Sequence, residues 1–186
     1  MTTHPFVRAT ALAVAAAGLT VLTALAPVHA SPTSSPTSGE RAESSTQREI
    51  GNVIECIGRI NGKRAYVSLY ENDQYVNVIQ VVIGDNGNGH SREVPRGFID
   101  DRTVRGSVQM DRQRAVVRGT ARRVGKKIPV HEEIENDAGQ RITIDGFQRR
   151  IVADLTLRHG RARKPLTCDT AFHYNLKVTK EDLNEE

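Results

Sequence analysis

From Ile50 onward, apolar and polar residues alternate along the chain, and Val and Ile fill most of the apolar positions. A period of two marks strands with one buried and one wet face, and β-branched residues suit a pleated surface. On this basis nine strands are predicted, at 53–60, 63–70, 75–83, 103–110, 115–123, 128–135, 141–146, 149–158 and 168–178. No sustained helical period competes with them before the last few residues.

Register tests this reading more sharply than propensity does. A two-residue type I′ turn at Asn61-Gly62 sets Gly58 opposite Ala65, Cys56 opposite Val67 and Ile54 opposite Leu69, all on one small or apolar face. The other face then pairs Arg59 with Arg64 and Glu55 with Ser68, the polar side of a half-buried sheet. A second hairpin closes over Asp111–Arg114 and sets Met110 opposite Ala115, Val108 opposite Val117, Gly106 opposite Gly119 and Val104 opposite Ala121. The two facing glycines read as a bend that helps the sheet curl, with a close backbone or ligand approach as the alternative.

In the last strand, Cys168, Thr170, Phe172, Tyr174, Leu176 and Val178 share a face, which puts Cys168 on the core side like Cys56. A disulfide between them would join the first and last strands. The fold class is therefore all-β, an antiparallel meander of eight to nine strands. An up-and-down, calycin-like barrel is favoured over a sandwich, with one disulfide.

The N-terminus adds a destination. Arg8 precedes a small and apolar run from Ala9 to Ala26, followed by Pro27-Val28-His29-Ala30, so residues 1–30 read as a signal peptide cut between Ala30 and Ser31. No other stretch is apolar enough to cross a bilayer as a helix, so the expected product is secreted and extracellular, without a transmembrane segment. In an oxidising compartment two cysteines with 111 residues between them are most simply one bridge. Residues 31–49 form a Ser, Thr and Pro-rich linker expected to be disordered; residues 50–180 are the domain and 181–186 an acidic tail. Removing Arg8 takes the net charge from +4 to +3, which is only mildly basic.

Three features carry candidate function. Continuing the first hairpin's register sets Leu69 opposite Val76 and Val67 opposite Val78. It also sets Tyr70 opposite Tyr75 and Tyr66 opposite Ile79 on the outer face. Tyr66, Tyr70, Tyr75 and Ile79 are thus a candidate interaction face, unless another segment covers them. The parity of Ile128, Val130 and Ile134 turns Glu132 inward, where with Tyr174 it would form an interior polar site. Between Arg92 and Lys127 there are eleven Lys or Arg against four Asp or Glu, a basic stripe that either binds a polyanion or is simply solvated.

The connection from Gly84 to Asp101 is long, and Asp85, Asn86, Asn88, Asp100 and Asp101 offer oxygens for calcium. Gly87 falls where an EF-hand-like spacing needs a ligand. Phe98 and Ile99 within it serve as a lid or as a pin to the core. No nucleophile elbow, phosphate loop or paired-cysteine metal motif is present, so neither a catalytic residue nor a cofactor is assigned. His131 with Glu132 and Glu133, and His173 with Asp169 and Asn175, are groupings of acid and base that strands rich in charge produce freely.

The expectation is a secreted binding or interaction protein without catalytic activity, whose partner is an extracellular protein or a second copy. The alternatives are a barrel carrier of a small apolar ligand and an enzyme of unidentified class at the barrel mouth. Fold alone does not choose among them.

Overall fold

A computed structural model describes residues 44–84, 89–137 and 139–182. Residues 1–43, which hold the expected signal peptide and most of the expected linker, lie outside that set, as do Asp85, Asn86, Gly87, Asn88, Ala138 and the last four residues. The described residues form ten strands and no helix: β1 (Ser45–Ile60), β2 (Lys63–Asn72), β3 (Asn77–Ile83), β4 (Gly89–Val94), β5 (Ile99–Asp100), β6 (Thr103–Met110), β7 (Gln113–Arg123), β8 (Ile128–Glu135), β9 (Gln140–His159) and β10 (Ala162–Asp182).

They make one antiparallel sheet in the order β4-β3-β2-β1-β10-β9-β7-β6-β5, with β8 also paired to β9. This is an up-and-down meander joined at β1 and β10 and left open between β4 and β5. The sheet curls into a half-barrel, and β3 and β4 pack against β6 across the opening. β7 and β8 lie end to end on the same edge of β9, facing Ile151–His159 and Arg141–Gln148 respectively.

Tight turns set much of this. Asn61 and Gly62 take φ of 50° and 76°, the left-handed pair that a type I′ turn demands, and every partner in the β1–β2 ladder is as the alternation predicts. Asp101 and Arg102, at φ 37° and 71°, turn β5 into β6 in the same way. The concave side is filled by Ile54, Val67, Leu69, Ile79, Val81, Val117 and Leu155, none of which is exposed. Burying each such side chain contributes about 1.5–3 kcal/mol.

Three registers differ from expectation. The β6–β7 turn is the two residues Asp111-Arg112, so Val108 faces Ala115 and Gly106 faces Val117; the two glycines do not pair. Gly106 instead makes room for Ile79 and Phe98, whose side chains occupy the space a Cβ would take. Phe98 is buried in the core cluster and pins its connection there.

Between β2 and β3 the ladder is shifted by three residues, pairing Leu69 with Ile79 and Tyr70 with Val78. An odd shift exchanges faces. Ile79 is therefore a core residue at 0% exposure and not part of an outer patch.

In β10, irregular pairing between Leu166 and Phe172 moves the register by one. Phe172, Tyr174, Leu176 and Val178 consequently face away from the side that Cys168 occupies. The expected 141–146 and 149–158 strands are one continuous β9, and β1 begins at Ser45, inside the stretch read as linker.

Cys56 and Cys168 are bonded across the β1–β10 seam, at a sequence separation of 112. A loop of this length is worth up to about 4–5 kcal/mol by chain entropy, and measured bridges usually give less. Replacing both cysteines by Ser should lower unfolding free energy by about 2–4 kcal/mol in urea titrations, with the folded sheet retained at room temperature.

Candidate binding surface

The sheet changes its apolar side along its length. In the half-barrel the concave side is apolar, and the convex side carries Arg105, Arg118, Thr156 and Arg158. Beyond Ile151 the long strands run on as a four-stranded arm, made of β8 with the adjoining parts of β9, β10 and β1. There the continuation of the concave side is polar, with Arg48, Lys177, Asp145 and His131, and the convex side gathers the apolar residues of β8, β9 and β10, bordered by polar positions of β1.

Cross-strand pairing lays that convex side out in rows. Tyr70 of β2 faces Val53, which faces Phe172 of β10. The next row is Asn72, Gly51, Tyr174, Gln148 and Ile128, and then come Glu49, Leu176, Gly146 and Val130. Gln47, Val178, Ile144 and Glu132 form the following row, and Ser45, Lys180, Ile142 and Ile134 the last. Ile128 at 60% and Ile134 at 42% are among the most exposed large apolar residues.

The aromatic end of this surface is fixed by hydrogen bonds. Tyr174, 4% exposed, donates its hydroxyl to the Glu71 carbonyl at 3.0 Å. The Asn72 amide nitrogen lies 2.9 Å from the Tyr70 hydroxyl, 3.0 Å from that of Tyr174 and 3.0 Å from Glu49 Oε2. Two N–H bonds thus serve three acceptors, which ties β1, β2 and β10 together. Burial, and then the neighbouring Tyr70, push the Tyr174 hydroxyl far above its ordinary value. Its ring crosses directly over Gly51, whose missing side chain is what allows the approach.

Tyr66 faces the exposed Ile57 and donates to Glu55 at 2.8 Å, and burial followed by Glu55 raises its pKa. Tyr75 stands at the end of the patch, 53% exposed. The structure therefore puts Tyr66, Tyr70 and Tyr75 on the outer side and extends their surface across β10, β9 and β8. Glu132 is exposed on this same outer side and Tyr174 is buried several rows away, so the two form no interior polar site.

A second polar constellation lies on the concave side, and alternation alone did not single it out. Glu71 follows Ala65, Val67 and Leu69 in inward parity. Its carboxylate accepts the backbone N–H groups of Phe98 and Ile99 and the amide of Asn52. A buried carboxylate needs such donors, and these strap the β4–β5 connection to β2. Asn52 Oδ1 in turn lies 3.2 Å from His173 Nδ1. An acid at an inward position of β2 was the available signal, and what it lacked was knowledge of which backbone would reach it.

His173 is 6% exposed, and burial lowers its pKa, followed by Arg123, then Arg149 and Lys127. His131 sits in the open on the arm's polar side, where Asp145 at 2.7 Å raises its pKa.

No protein-family model, curated protein or solved structure matches this chain. Its own sequence and geometry are therefore the basis for a functional reading.

Two outcomes follow from these contacts. Gly51→Ala should drive its Cβ into the Glu71 carbonyl and the Tyr174 ring, shifting β2 as well as the ring, and cost about 3 kcal/mol or more, seen in the urea midpoint and in the tyrosine near-UV circular dichroism. The two histidines act with opposite sign. His173, lowered from 6.5, contributes stability above that pH which is lost as pH falls below it. His131, raised from 6.5, contributes below that pH and loses its effect as pH climbs through the raised value. His173→Gln should flatten the acid-side fall in urea midpoint between about pH 7.5 and 5.5 relative to wild type, and His131→Asn should steepen it.

Proposed function

We propose that this protein is exported and acts outside the cell as a non-catalytic binding protein, docking through the convex face of its arm, with a second copy as the occupant. The observation that carries the reading is the contiguous outer surface from Tyr70 and Phe172 through Leu176 to Ile128 and Ile134, with no covering segment among the described residues. A patch of this kind, with charged residues at its rim, is what commonly marks an interaction site.

Size and charge favour a second copy. Four strands about 4.8 Å apart, each running for about eight residues at 3.3 Å and presenting every second one, project roughly 500 Å². Corrugation and the Tyr66, Tyr70 and Tyr75 strip bring the accessible area towards the roughly 800 Å² per partner of a standard interface. Glu49 and Glu132 share the face with Arg150 and Lys180, so a two-fold packing can set the acids of one copy against the bases of the other.

Export rests on the segment from Arg8 to Ala30, with cleavage before Ser31, and a disulfide is compatible with the oxidising destination it implies. The packed interior disfavours the carrier alternative, because Val67, Val81, Val117 and Leu155 occupy the space a ligand would need.

Sedimentation over about 1–100 µM tests the assembly, a range that brackets ordinary transient dimers. The wild type should be dimeric in the upper part of that range, and Ile128→Glu with Ile134→Glu should weaken association at least tenfold. A wild type that stays monomeric throughout, or a double variant that associates unchanged, overturns the reading.

A further inference from the structure

On the half-barrel, remote in sequence from the arm's apolar residues, six arginines line one surface cleft of about 340 Å³: Arg92, Arg96, Arg105, Arg114, Arg118 and Arg158. They are brought together from β4, the β4–β5 connection, β6, β7 and β9. Arg105 and Arg118 are direct cross-strand partners, and Arg158 directly faces a further arginine, Arg163, on β10. Like charges set opposite one another destabilise a sheet unless something neutralises them.

The protein itself does not supply that neutralisation. Among the described residues, no carboxylate lies within 4.0 Å of any of the six guanidinium groups, and none of the six donates a side-chain hydrogen bond. Each keeps all five N–H donors in a planar fork shaped for two oxygens of one anion. A single small anion would answer at most one or two of these forks. Arg105 and Arg118 form one cross-strand pair, and Arg158 with Arg163, whose Nε already donates to Thr156, forms another two residues along the same outer face; together they span four strands, about 14 Å, which calls for a ligand that carries anions in series.

The rest of the lining selects among such ligands. Phe98 is its only aromatic residue and is 4% exposed, so a nucleobase finds no stacking platform. The Ser107 hydroxyl and the backbone at Gly97 and Gly106 suit a hydroxyl-rich chain.

We infer that this cleft binds a linear anionic polysaccharide, each guanidinium fork engaging a sulfate, phosphate or carboxylate group of the chain. The site is separate from the arm's docking face and does not require dimerisation. It gathers part of the basic stripe, Arg92 to Arg118, with Arg158, which lies outside that stripe in the sequence.

Calorimetric titration with a heparin-derived hexasaccharide, repeated at several salt concentrations, tests the inference. Arg105→Ser with Arg118→Ser should weaken binding at least tenfold and lower the salt slope by about two, one for each lost contact. Arg105→Lys with Arg118→Lys keeps the charge and the fold while removing the forks, and should weaken binding several-fold. Arg141→Ser with Lys177→Ser removes equal charge from the arm and should leave affinity unchanged.

Equal weakening in that control pair would mean diffuse charge attraction and overturn the site. Binding of single-stranded DNA of equal charge as tightly as the hexasaccharide would overturn the ligand class. A wild type that fails to bind the hexasaccharide at about 0.15 M salt would overturn the inference altogether.

Discussion

The pairing of β1 with β10 is the contact on which the rest of the molecule depends. It runs from Ser45 facing Lys180 to Gly58 facing Leu166, and it turns a chain-order meander into a curled sheet with one opening in place of two free ends. The cysteine bridge lies in this ladder, and the Tyr174 and Asn52–His173 contacts cross it. Both strands continue past the half-barrel as a pair, which is why an arm exists at all. Without that ladder, β1 and β10 would each lose a neighbour, and the outer face of the arm would have no centre.

Much of this was legible in the residues. Asn61-Gly62 and the alternation around it specified the first hairpin pair by pair, because a type I′ turn leaves one register that buries Ile54, Cys56 and Val67 together. The bridge was legible from two cysteines at core parity. What was not legible were the events that shift parity without an obvious residue to mark them. The irregular pairing between Leu166 and Phe172 moved four apolar residues to the other side, and the offset at β2–β3 sent Ile79 inward.

β9 illustrates the difficulty best. Its apolar residues fall at Ile142 and Ile144 and then at Ile151, Leu155 and Leu157, even positions followed by odd ones. That phase change reads as two strands from sequence. It is one strand whose wet side becomes its apolar side where the half-barrel gives way to the arm. The candidate surface lay hidden in the same place, since residues assigned to the core on parity prove to face outward. Alternation turns Tyr66, Tyr70 and Tyr75 outward, but it assigns Tyr174 and the other neighbours that make them part of a larger surface to the core.

The β1–β10 ladder also governs when the domain can form. It joins residues more than a hundred positions apart, with side chains as distant as Thr46 and Thr179 in contact. Non-local pairing of this kind has to wait for loop closure and tends to fold slowly. A ribosome releasing this chain must finish β10 before the second edge of β1 can be paired. Until then β1 presents a free edge to any neighbouring chain.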